Sequence, residues 1–173
     1  MEELDAVWTN FLNEAAARVQ KGDRNDIADY LQLKSTNDFL RSTSVGWLFE
    51  SVAEIASEAN RNNANLTFEK KHPHEFTIGN SNLIGWLVRF CQGVRCLSVE
   101  AGWTRSPADG FMRGGALAVG RVTHFGMAKQ NVELNLLKIE NAPVWFATDR
   151  NGKRTEFHSN HLQNHFKIFL DAA

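Results

Sequence analysis

"NLIGWLVRFCQGVRCLSVEAGW", residues 82–103, decides how the chain is read. Two runs rich in branched and aromatic residues flank Gln92-Gly93, which reads as a two-residue hairpin turn. With that turn, Phe90 faces Arg95, Val88 faces Leu97, Trp86 faces Val99 and Ile84 faces Ala101, so one face of the ribbon is almost wholly apolar. The opposite face carries Leu83, Leu87, Arg89, Cys91, Val94, Cys96, Ser98 and Glu100, a mixture suited to partial solvation or to covering a ligand. In this register Cys91 and Cys96 are diagonal neighbours, roughly 7 Å apart, which favours free thiols over a disulfide.

Upstream of the hairpin the apolar period is helical. Leu4, Val7, Trp8, Phe11, Leu12, Ala15 and Val19 form one stripe on a helix ending near Gly22, and a short helix is expected from Asp26 to Leu33. Ser35 and Asp38 have capping-box spacing ahead of a third stripe, Val45, Leu48, Phe49, Val52, Ile55, Ala56 and Ala59, which fades in the polar run 60–65. From residue 66 the period moves toward two. "LTFEKK" and "EFTIG" read as two short strands joined by a turn at His72, Pro73 and His74.

Downstream, a loop around Ser106–Gly110 leads into "GALAVGRVTHF", whose branched residues tilt residues 115–125 toward strand despite their glycines. "VELNLLKI" and "PVWFAT" read as strands, "DRNG" at 149–152 as a turn before "KRTEFH", and the chain closes with a helix capped near Ser159 or Asn160. The order implies an α+β domain: N-terminal helices over residues 1–62, a central mostly antiparallel sheet of about six strands within 63–158, and a C-terminal helix over 159–173. The 173 residues fit a single domain, with the helices packed on one face of a bent sheet.

Composition narrows the class. No run approaches the roughly 18 apolar residues that span a bilayer. The start, "MEELDAVWTNFLNEAAARVQ", is acidic where a secretory signal would be basic, which points to the cytoplasm and away from membranes. Two cysteines at C-x4-C spacing have no second pair to complete a zinc site. The net charge of −1 hides an asymmetry: residues 1–62 carry −5, residues 63–130 carry +4, and residues 131–173 balance.

That basic middle motivates the functional expectation. Lys70, Lys71, Arg89, Arg95, Arg105, Arg113 and Arg121 all lie in it, the last three among the glycines of the segment 103–125, where Trp103, Phe111 and Met112 flank a polar loop. Glycines permit close backbone approach and arginines supply bidentate donors, the combination that recognises an anionic ligand, nucleic acid or an acidic protein. No cofactor fingerprint is present: there is neither a Walker lysine nor a G-x-G-x-x-G. A binding module is therefore expected rather than an enzyme, with Arg89, Trp103, Arg105, Arg113, Arg121, Lys70 and Lys71 as candidate contacts.

Two competing expectations rest on other residues. His158, His161 and His165 have a spacing at which two imidazoles on one helix face could share a metal, with His72, His74 or His124 as a further ligand. Glu50, Glu69 and Lys71 echo the carboxylate–lysine pair of metal-dependent nucleases. Either set would make the protein a metal-dependent hydrolase or nuclease. A third expectation is an assembly role, in which acidic helices of one copy meet the basic sheet of another in a homo-oligomer.

Overall fold

A computed structural model describes residues 8–14, 17 and 25–171. The chain divides into two compact units, Met1–Ser42 and Thr43–Ala173, and helix α1, Asn25–Arg61, contributes residues to both. The expected stripe from Leu4 to Val19 lies largely outside the described residues, of which 8–14 and 17 are helical. No break separates the helices expected at 26–33 and after Ser35. Asp38 caps nothing; its carboxylate pairs with Lys34 and Arg41, each at 2.8 Å, and such i,i+4 and i,i+3 pairs favour continuing the helix.

In the second unit the fold is α+β. Seven strands, one more than the sequence suggests, run in the order β1 (Thr67–Ile78), β2 (Ser81–Gln92), β3 (Arg95–Trp103), β4 (Ala118–His124), β5 (Val132–Ile139), β6 (Ala142–Thr148) and β7 (Arg154–Glu156), each antiparallel to the next. The glycine-rich segment that tilts toward strand in the sequence is β4. Helix α2, Ser159–Asp171, follows β7. No helix among the described residues is long and apolar enough to cross a membrane.

The part of α1 within this unit, from Thr43 on, and α2 pack on one face of the sheet. Val45, Leu48, Phe49, Val52 and Ala56 of α1 are buried at helical spacing, Phe49 lies 6.4 Å from Trp86, and the Trp145 indole N–H donates to the Ser44 carbonyl at 3.1 Å. From α2, Leu162, Phe166 and Phe169 are buried, with the Phe166 ring 5.3 Å from Phe90. Val88, Leu97, Val99, Val122, Leu134 and Leu136 form the floor of that core. A smaller cluster occupies one end of the opposite face, where Phe76, Leu83, Ala116 and Val119 bury one another and Met112 packs against them.

The β2–β3 hairpin corrects two expectations. Its turn is Gly93-Val94, with Gly93 at φ 62° in the first central position, which a side chain adopts poorly. Phe90 therefore faces Leu97 and Val88 faces Val99, two residues from the expected register. A slip of two leaves every side chain on its expected face, so the apolar ribbon is retained. The same slip places Cys91 directly opposite Cys96, Cα to Cα 4.2 Å, and the two form a disulfide instead of remaining free thiols.

The turn expected at His72, Pro73 and His74 is instead a bulge within β1. Pairing passes from Lys71 with Leu87 to His74 with Gly85, three residue steps along β1 against two along β2. Pro73 is tolerated because β1 is the edge strand of the sheet among the described residues. The His72 Nδ1–H donates to the Gly85 carbonyl at 3.0 Å while its ring stacks on Trp86 with centroids 4.2 Å apart. Opposite the bulge, Gly85 and Gly102 form a cross-strand pair so close that a Cβ at Gly85 would lie 1.9 Å from the Ala101 carbonyl oxygen.

These contacts predict opposite signs for two glycine substitutions. Gly85→Ala should destabilise the protein by about 3 kcal/mol, the upper end of the usual overpacking range, because the obstructing atoms are backbone. Gly46→Ala, with nothing within 4 Å of the added methyl on the helix, should stabilise it by about 0.5–1 kcal/mol. Urea unfolding of both variants checks the pair.

Candidate functional site

The face opposite the helices is built from rows of side chains set by register. One row runs Glu69, Arg89, Ser98 and Thr123 across β1 to β4; the next runs Lys71, Leu87, Glu100, Arg121 and Glu133 across β1 to β5. Because of the bulge, His74 joins this face, out of phase with Phe68, Lys70 and His72. The rows line a groove of about 480 Å³ that includes His74, Arg89, Ser98, Glu100, Arg121 and Thr123. Ile78, Leu87 and Val132 give it an apolar side.

Glu100 anchors the groove. It is a buried residue, 9% exposed, yet both carboxylate oxygens are held: Oε2 accepts from His74 Nε2 at 2.7 Å, and Oε1 accepts from Arg121 Nε. A carboxylate only accepts, so the imidazole proton sits on Nε2. The other ring nitrogen, His74 Nδ1, is buried and has no hydrogen-bond partner among the described residues. Burying this charge is tolerable because it is paired on both sides.

Arg121 keeps its terminal nitrogens for the groove, since its Nε serves Glu100. Its guanidinium also lies 6.0 Å from the Phe76 ring. Two strands away, Arg89 donates weakly to Ser98 Oγ at 3.3 Å and to Glu69 at 3.4 Å, contacts that are exposed and readily exchanged. By strand spacing the two arginine backbones are roughly 12 Å apart, and Ser98 and Thr123 are a cross-strand pair in the Arg89 row, Thr123 two residues from Arg121 along β4. Two guanidiniums over a hydroxyl pair can chelate an oxyanion.

The other candidate contacts are placed elsewhere. Trp103 is buried, 5% exposed, on the helix side beside Trp86, and Arg105 lies over its ring at 4.0 Å while donating to the Ile84 carbonyl at 3.2 Å. Arg113 rests against Gly79 in the β1–β2 turn. Lys70 and Lys71 are exposed on opposite sides of β1. Met112 packs inward and Phe111 is exposed, so the 103–125 segment brings only Arg121 and Thr123 to the groove. Sequence reading did not place Glu100 in a site and named His74 only as a possible further metal ligand: the hairpin alternation already put Glu100 on the mixed face, but nothing local marks the bulge that turns His74 toward it.

The three C-terminal histidines separate. His165 is buried and shares a 2.8 Å hydrogen bond, Nδ1 to Nε2, with buried His124 on β4. His161 accepts from the His158 backbone N–H at 3.0 Å and stacks on Phe157, and the exposed His158 ring lies 3.2 Å from Glu156. Among the described residues no group of three or more His, Cys, Asp or Glu side chains is placed to hold a metal ion. Glu69 pairs with Arg89, and Glu50 is exposed on α1. No protein-family model, curated protein or solved structure matches the chain.

The histidine pair predicts a pH dependence. Burial pushes His165 down to about 4, with the nearby His124 and His161 adding to the effect, and burial lowers His124 too. The unfolded chain then binds more protons than the folded one between the ordinary histidine value of 6.5 and about 4. Stability should be full above pH 6.5 and fall toward pH 4, by roughly 3 kcal/mol at about 1.4 kcal/mol per pKa unit. Urea unfolding from pH 7 to 4 should show this loss, and His165→Gln should flatten it.

Proposed function

We propose that this protein is a binding module that takes a small organic anion in the groove, with the anionic group between Arg89 and Arg121 above the Ser98 and Thr123 hydroxyls. The observation that carries this reading is Glu100: a buried carboxylate held by His74 that in turn fixes Arg121 at the groove floor. Such a buried charge cluster adds little to stability compared with apolar packing, so its physical value is to hold a guanidinium in one place.

Groove chemistry favours a small anion over nucleic acid. Arg89 and Arg121 are matched by Glu100 and Glu133, so the lining carries no excess positive charge to neutralise a run of phosphates. The remaining basic candidates are dispersed, Lys70 on the helix side of β1, Arg105 over Trp103 and Arg113 at the β1–β2 turn.

Amide chemical-shift titration tests the reading with a short carboxylate, inorganic phosphate and a single-stranded oligonucleotide as probes. The carboxylate should shift the Ser98 and Thr123 amides saturably, and Arg89→Ala should weaken it about tenfold, the loss expected for one charge-assisted hydrogen bond. Shifts confined to Lys70, Arg105 and Arg113 with the oligonucleotide, and none in the groove, would replace this proposal with a nucleic-acid surface.

A further inference from the structure

The charge pattern of the groove selects among anions, a selection that rests on the anion-binding reading of the same site. Its four charged side chains are two arginines and two glutamates, and they are not equivalent. Glu100 has both oxygens occupied by His74 and Arg121. Glu133 stands directly across from Arg121 on β5, is exposed, and has no hydrogen bond or ion pair among the described residues. A carboxylate without a partner therefore borders the site where an anion would sit, one strand beyond Thr123.

For a simple anion that placement is repulsive. A like charge bordering the site lowers affinity for an anion and subtracts from what Arg89 and Arg121 contribute. For a ligand that carries an ammonium next to its carboxylate the same residue becomes a partner. Register places Glu133 one strand spacing and one two-residue step from Thr123, roughly 8 Å between backbones. With the glutamate and arginine side chains reaching in, this spacing suits the two charges of an amino acid. The apolar side of the groove, formed by Ile78, Leu87 and Val132, is left for the remainder of the ligand.

We propose that the groove binds a small zwitterion of the apolar α-amino acid class, its carboxylate between Arg89 and Arg121, its ammonium against Glu133, and its aliphatic side chain on Leu87, Ile78 and Val132. The lining then has a matched partner for each ligand charge, and the complex keeps the groove's neutral balance. Arg89 is the adaptable member: it exchanges its long contact with Glu69 for the ligand. Arg121 is the fixed member, held by Glu100.

A matched trio of probes tests this by calorimetric titration: leucine, 4-methylpentanoate, which lacks only the amine, and 3-methylbutylamine, which lacks only the carboxylate. The expected result is leucine binding at least tenfold tighter than either, with Glu133→Gln collapsing the leucine to 4-methylpentanoate ratio toward one. Equal binding of leucine and 4-methylpentanoate would overturn the zwitterion proposal and leave the anion reading standing. Binding of the amine alone, or of none of the three while no carboxylate shifts the Ser98 and Thr123 amides, would overturn both.

Discussion

The extra residue that β1 carries between Lys71 and His74 sets which side chains share a face with Glu100. Strand side chains alternate with a period of two, so one inserted residue inverts every later position. Before the bulge Phe68 and Lys70 are in phase with the helix-side residues Phe90 and Val88; after it, His74 and Phe76 are in phase with Gly85 and Leu83 on the opposite side. Phe76 thereby enters the small second core and His74 reaches Glu100. The Gly85–Gly102 pair accommodates the bend, since no side chain fits where those backbones meet.

Two polar clusters lie on the two faces of the same strands, and physical chemistry treats them differently. On the groove side, Glu100 is charged and its neighbours bring donors to it, so ion pairing offsets desolvation. On the helix side, His124 and His165 meet with no ion pair to either among the described residues, and burial disfavours the imidazolium of both. Leu97 with His124 and Glu100 with Arg121 are cross-strand pairs of the same β3–β4 ladder, three residues apart along β3. Alternation along that ladder is what separates a neutral pair from a charged one over so short a distance.

Much of the architecture was legible because it depends on local periodicity. The α1 stripe from Val45 to Ala56, the alternation of Trp86, Val88 and Phe90, and the Leu162–Phe166–Phe169 face all report which side is buried, and each does. What could not be read depends on register. A turn at Gly93-Val94 rather than Gln92-Gly93 changes no face but changes every partner, and so brings Cys91 and Cys96 together. His72-Pro73-His74 carries turn chemistry, yet tertiary pairing on both sides keeps it within a strand. Of the candidate site, Arg89 and Arg121 could be named from charge, whereas their convergence on Ser98 and Thr123 spans three strands and leaves no local trace. Arg105 and Trp103 looked alike as ligand contacts in the sequence, and they contact each other.

The links between strands are uneven: two residues join β1 to β2, β2 to β3 and β5 to β6, whereas the fourteen residues 104–117 join β3 to β4. The entropy lost on closing a loop grows with its length, so β3–β4 is the costliest of the hairpins to zip. It is also the one that brings Glu100 to Arg121 and Ser98 to Thr123. A chain with β1–β3 paired and β5–β6 paired would hold most of its strand residues and the His74–Glu100 half of the groove, but Arg121 and Thr123 join it only when the longest connection in the meander closes.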